Sequence, residues 1–264
     1  VQAIDIKYLQ LVEFILIAAS KYLDCRIIMM TATKPLILSS AAELLKDNKK
    51  YFDMFNRTSI IPRLEPIKIE SFIEEFYDNM ENKSYLIICN TIAQSLKIYN
   101  ELKNSGRKVL YLSTNILPYH RKERIEEVTK GLEKGEKIIL VSTQVVEAGV
   151  DFDFDVVIRD IAPIDSIIQA AGRCNRNGKK SSGKVYVYSM VDNGGSYYGK
   201  RVYGHTLIDI SRELLCDKKV IDESECFDLI GKYFIEVDKN KSHEVSNEFE
   251  KSIVKMYFSD KEYS

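Results

Sequence analysis

Two arginines and a glutamine lie within eight residues of one another, in Gln169-Ala-Ala-Gly-Arg173-Cys-Asn-Arg176. Read as one helix, Gln169, Arg173 and Arg176 fall at i, i+4 and i+7 and share a face. A transferring phosphoryl group spreads charge over its oxygens, and a planar, permanently charged guanidinium stabilises that charge. The same three side chains on a solvated helix face would need no ligand. Upstream, Ser142-Thr143-Gln144 leads through a short turn to Gly149 and Asp151.

Such residues need rigid elements to aim them. The runs Tyr85–Cys89, Lys108–Leu112, Lys137–Val141, Asp155–Ile158 and Val185–Tyr188 are mostly apolar without alternation, which predicts strands buried on both faces. Helical patterns at Glu70–Met80, Ile92–Leu102, His120–Leu132 and Ile164–Gly172 alternate with most of them, and Pro163 suits the start of the last. Together they predict an α/β fold: a parallel sheet covered by helices on both faces, with ligands at the C-terminal ends of the strands. Ser113, Asn90 with Thr91, and Thr143 with Gln144 stand at such ends. There a hydroxyl beside free backbone N–H groups suits a nucleic-acid phosphate. Helix capping would select the same residues.

The flanks read differently. Before this unit come a helix over Ile4–Leu23, a strand over Arg26–Met30, a helix over Ile37–Leu45, and a polar stretch Lys46–Arg63 that Pro62 and Pro66 mark as a linker. After it come a Gly/Ser-rich loop, Asp192–Gly199, and helices over Leu207–Leu215, Glu223–Val237 and Val245–Phe258. Lys plus Arg number 38 against 39 for Asp plus Glu, so any nucleic-acid groove is a local arrangement and not a global field. No apolar run reaches membrane-spanning length. The five cysteines show no CxxC pair and fit a reducing cytoplasm, with Cys25 and Cys89 reading as small buried hydrophobes. His120, His205 and His243 lack metal-ligand spacing. Gly172–Ser181 imitates a phosphate-binding loop, but its glycine gap is one residue too long and Lys180 replaces the Ser/Thr.

The stretch from Ser142 to Asp151, followed by Gln169 to Arg176, resembles motifs V and VI of superfamily 2 helicases, the ATP-driven nucleic-acid motors. Thr31-Ala32-Thr33 is similar to motif III and Cys89-Asn90-Thr91 to motif IV, in the same order. Within that superfamily the chain, up to about Met190, most resembles the CRISPR-associated helicase-nuclease of type I interference systems. The resemblance implies residues 1–65 as the C-terminal part of a first RecA-like domain, 66–195 as the second RecA-like domain, and 196–264 as a mostly helical segment. It implies ATP and Mg2+ as cofactors, with Gln169, Arg173 and Arg176 on the nucleotide's phosphates and Gly149 and Asp151 beside it. The glycine would let the backbone approach where a side chain obstructs. Asn90, Thr91, Ser113, Thr143 and Gln144 would follow a single-stranded DNA backbone, and Thr31 and Thr33 would couple the two sites. Glu147 would either orient a motif VI arginine or be solvated; Asp153 and Asp155 read as surface or turn residues. Implied partners are single-stranded DNA, a guide-RNA surveillance complex, an upstream first RecA-like domain and an HD nuclease domain. Val1-Gln2 is similar to the second half of motif II, whose two acids would precede Val1. Another superfamily 2 helicase, or a non-catalytic interaction module that keeps the RecA-like fold, are the alternatives.

Overall fold

The computed structural model describes residues 8–29, 37, 38, 41, 42, 44, 56–147, 149–178 and 182–240. They fall into two units, residues 1–46 with 234–264 and residues 47–233. In the smaller unit, α1 (Leu9–Tyr22) forms within the expected Ile4–Leu23 helix. The strand expected over Arg26–Met30 is not formed as far as Met29, and Ile28 is exposed. An apolar run becomes a strand only beside a partner that takes its N–H and C=O groups. No described strand pairs with this one, and Cys25 beside it is exposed, not buried as expected. The helix expected over Ile37–Leu45 is also absent at its described residues. Leu38 has φ 54°, in the left-handed region that a right-handed helix excludes. Thr31, Thr33 and the helix expected at Val245–Phe258 lie outside the described residues.

Among its described residues the larger unit has seven strands: β1 (Thr58–Lys68), β2 (Tyr85–Ile88), β3 (Val109–Leu112), β4 (Ile139–Ser142), β5 (Val156–Asp160), β6 (Gly183–Val191) and β7 (Ile221–Asp222). They form one sheet in the order β3-β4-β2-β5-β6-β1-β7. All neighbours run parallel except β7, which is antiparallel to β1. The connections carry α2 (Ile69–Asn79), α3 (Ile92–Leu102), α4 (Pro118–Glu133), α5 (Ile164–Ala171), α6 (Tyr198–Tyr203) and α7 (His205–Cys216). A 3-10 turn at Glu223–Glu225 then leads into α8 (Cys226–Asn240). No described helix is long and apolar enough to cross a membrane.

Strands β2, β4 and β5 are buried at every position. Successive side chains point to opposite faces, so both faces are covered, which is why these runs do not alternate. On one face Ile87, Cys89, Val141 and Ile158 pack with Phe72 and Phe76 of α2 and Ile98 of α3. Phe72 meets Tyr188, and Phe76 meets Tyr85, edge to face at 5.1 Å. Burying each phenyl contributes about 2–3 kcal/mol.

The linker reading of Lys46–Arg63 is overturned at its end: Thr58 to Lys68 is an eleven-residue strand, and Pro62 and Pro66 lie inside it. β7 pairs only with Ser59 and Ile60. Beyond Ile60 the side of β1 away from β6 is therefore an edge, where proline's missing N–H is tolerated. A register shift between Arg63 and Pro66 accommodates the rest.

Candidate functional site

Parallel register aligns Leu112, Ser142 and Ile88 across β3, β4 and β2. The polar residues that follow, Ser113, Thr143 with Gln144, and Asn90 with Thr91, therefore line one edge of the sheet. Gln144 Nε2 joins two of these strand ends by donating to the Asn90 carbonyl at 2.9 Å. The side chains divide into two kinds. Thr91 caps α3: its Oγ1 accepts the Gln94 N–H at 3.2 Å, while Gln94 Oε1 accepts the Asn90 N–H at 2.9 Å. Thr143 caps nothing, and its hydroxyl makes no hydrogen bond among the described residues. Ser113 is fully buried and its Oγ has no partner there either. Asn90 turns away from the edge. Its Nδ2 donates to Asp160 Oδ2 and to the Ile161 carbonyl, both at 2.7 Å, so its side chain is committed inside the protein and cannot reach an external phosphate.

Asn90 belongs to a buried polar network beneath the edge that sequence reasoning missed. Asp160 accepts four N–H donors: Asn90 Nδ2 and Gln94 Nε2 on one oxygen, the backbone of Ile161 and Met190 on the other. Burial pushes its carboxyl up to about 6, against the pull of those donors and of Arg159. Arg159 is fully buried, donates to Asn90 Oδ1 at 2.6 Å and Tyr203 Oη at 3.0 Å, and pairs with Glu147 at 2.9 Å. Glu147 is thus neither solvated nor bonded through its carboxylate to a motif VI arginine, and burial raises its pKa. The only signal was a charged pair, Arg159-Asp160, ending an apolar strand.

The arginines are not on one helix with Gln169. α5 stops at Ala171, Gly172 is its C-cap, and Asn175 at φ 45° and Gly178 at φ 62° fold the following residues into a turn. Cys174 is bridged to Phe154. The turn directs the two guanidiniums into different surroundings. Arg173 is buried and holds the 3-10 turn (Gln144–Val146) of motif V: its Nε donates to the Val146 carbonyl at 3.0 Å and its Nη2 to the Glu147 carbonyl at 2.7 Å. Burial lowers its pKa, and the neighbouring charge of Arg176 lowers it further. Arg176 is exposed and forms an ion pair with the exposed Asp151. Its backbone N–H donates to Asp153 Oδ1 at 2.8 Å, so Asp153 is a turn former. Asp155 is not a surface residue: it accepts Ser84 N–H and Oγ at 2.7 and 2.9 Å. Gly149 has φ 75°, a backbone conformation that favours glycine, with nothing among the described residues within 4 Å of its Cβ position. Arg173 and Arg176 therefore meet the segment that carries Gly149 and Asp151 through two loops beside β5, while Gln169 stays on α5.

Residues 81–179 match the family model described as CRISPR-associated nuclease/helicase Cas3, C-terminal. A CRISPR-associated nuclease/helicase Cas3 from Methanothermobacter thermautotrophicus is 28% identical over 240 residues, which is 83% of this chain and 26% of that protein. The chain thus spans about a quarter of the length of this relative. The T. fusca Cas3-ADP crystal structure matches 76% of this chain and 26% of its own, with TM-score 0.59 and 20% identity. A CRISPR RNA-guided surveillance complex, pre-nicking, contains a chain that matches 76% of this one and 27% of itself, with TM-score 0.57 and 20% identity. At these identities the two structures establish the fold: a mostly parallel sheet with helices, of the second RecA-like type.

Proposed function

We propose that this chain, whose residues 81–179 match the Cas3 C-terminal family model and which is similar to Cas3 proteins over most of its length, forms half of an ATP-driven, single-strand DNA motor in CRISPR interference. In that reading an upstream RecA-like domain contributes the phosphate-binding loop and the Mg2+ ligands. This chain contributes Arg173 and Arg176 to the phosphates, with Gln169, Gly149 and Asp151 beside the nucleotide. The observation that carries the proposal is the pairing of exposed Arg176 with Asp151, next to Arg173, on the two loops that also hold the helicase-like motifs. An incoming phosphate would replace Asp151 as the anion that Arg176 meets. Thr91, Thr143 and Gln144 would meet the DNA backbone, with the fully buried Ser113 behind them at the same edge. Thr31 and Thr33 would couple the sites, residues 1–65 would complete the first domain, and a guide-RNA surveillance complex and an HD nuclease would act with the whole protein in the cytoplasm.

Two threonine variants in the full-length protein test the DNA edge. Thr143→Val removes a hydroxyl that bonds nothing inside the described protein, so the melting temperature should hold. Single-strand DNA affinity should fall by about 1 kcal/mol, uniformly across sequences. Thr91→Val removes a cap and should cost about 1 kcal/mol of stability. Unchanged DNA affinity in Thr143→Val would remove that residue from the DNA edge.

The chain of residues 1–264 has no phosphate-binding loop of its own sequence, so alone it should hydrolyse ATP no faster than buffer, with or without DNA. A colorimetric phosphate assay on the purified chain checks this, and DNA-stimulated turnover would overturn it.

A further inference from the structure

The residue that carries the exposed guanidinium is held by its backbone from two sides. Arg176 donates its N–H to Asp153 Oδ1 at 2.8 Å, and its carbonyl accepts Arg57 Nη1 at 3.1 Å. Asp153 lies in the motif V loop, already part of the site. Arg57 comes from elsewhere: it immediately precedes β1, and 119 residues separate it from Arg176. Its own backbone is tied to the same turn, since the Arg57 carbonyl accepts Gly183 N–H at 2.7 Å and Asn175 Nδ2 at 2.9 Å. Its side-chain stem passes the Cβ position of Gly178 at 3.7 Å. The guanidinium is in turn held by Glu223, which accepts the Arg57 N–H at 2.7 Å and pairs with its side chain. Glu223 opens the 3-10 turn after β7, and both Arg57 and Glu223 lie outside the matched residues 81–179.

We propose that Arg57, backed by Glu223, is a positioning residue for Arg176. Asp153 and Arg57 fix the peptide groups on both sides of Arg176, which leaves only side-chain rotation to bring its guanidinium from Asp151 to a phosphoryl group. Misplacement by about 1 Å at such a site costs on the order of a hundredfold in rate. The planar fork of Arg57 is what the role requires: one edge faces Glu223 while Nη1 reaches the Arg176 carbonyl, a division that a lysine ammonium cannot make. It gives residues 221–225 a task in the site, that of a buttress for the arginine turn.

The proposal rests on the nucleotide reading of Arg176, and the test separates the two. ATP hydrolysis by the full-length protein is measured for Arg57→Lys, Arg57→Ala, Arg176→Ala and the double variant Arg57→Ala/Arg176→Ala, with melting temperature, ATP KM and DNA affinity alongside. Arg57→Lys keeps the stem and a charge for Glu223. It should fold, lower kcat about tenfold or more, and leave the KM for ATP and DNA affinity within about twofold. In the Arg176→Ala background, Arg57→Ala should lower kcat no further, because it acts through Arg176. A further loss in the double variant, or a lower melting temperature in Arg57→Lys with kcat unchanged, would overturn the positioning role. Wild-type kcat in Arg176→Ala itself would instead overturn the nucleotide reading.

Discussion

Replacing Arg176 with alanine in the full-length protein is expected to cut ATP hydrolysis about a thousandfold while leaving single-strand DNA binding nearly unchanged. The guanidinium is exposed, and its ion pair is with a still more exposed aspartate, Asp151. Pairs of that kind contribute little to stability, so the domain should melt at its usual temperature. Arg176→Lys should not restore the rate, since an ammonium lacks the planar fork that matches a phosphoryl group. Arg173→Ala should behave differently. Its donors hold the Val146 and Glu147 carbonyls from a buried position, so its loss should lower both hydrolysis and thermal stability. Steady-state hydrolysis, melting and DNA titration on the same samples check both. Full activity in Arg176→Ala would remove the nucleotide role.

The second large effect lies beneath the site. Asp160→Asn should destabilise the domain by about 2–6 kcal/mol, since two buried N–H donors lose their acceptor at about 1–3 kcal/mol each. An amide nitrogen in place of Oδ1 would face the backbone N–H groups of Ile161 and Met190, which cannot turn away. In place of Oδ2 it would face Asn90 Nδ2 and Gln94 Nε2. Those amides are fixed in turn, because Asn90 Oδ1 accepts from Arg159 and Gln94 Oε1 from the Asn90 backbone. The pH dependence has a definite sign. The Asp160 carboxyl is raised from 3.8 to about 6, so between those values the native protein holds a proton that the unfolded chain has lost. Wild-type stability relative to Asp160→Asn should therefore grow as pH falls through that window. Urea unfolding at several pH values measures both effects; a loss below about 1 kcal/mol would contradict the network's role.

The sheet was legible where burial on both faces leaves an unbroken apolar run, as in Tyr85–Ile88 and Ile139–Ser142. It was illegible at β1, where two prolines and several charged residues imitate a linker; only the pairing with β6 makes that segment a strand. Arg26–Met29 shows the converse, since local pattern alone does not supply a strand partner. In the candidate site, residue types singled out the arginines, and helical spacing misplaced them. Helical periodicity was carried past Gly172, where Asn175 and Gly178 adopt positive φ and turn the chain. Asp160 meets Gln94 across 66 positions and Arg57 meets Glu223 across 166, separations at which no sequence pattern reports.

The most direct test is a structure of the full-length protein with DNA, ADP and a fluoride mimic of the transferring phosphoryl group. The account predicts that Arg176 has left Asp151 and lies about 3 Å from the mimic, with Arg57 still on its carbonyl. An occupied site in which Arg176 remains on Asp151 and no arginine of this chain touches the mimic would contradict it.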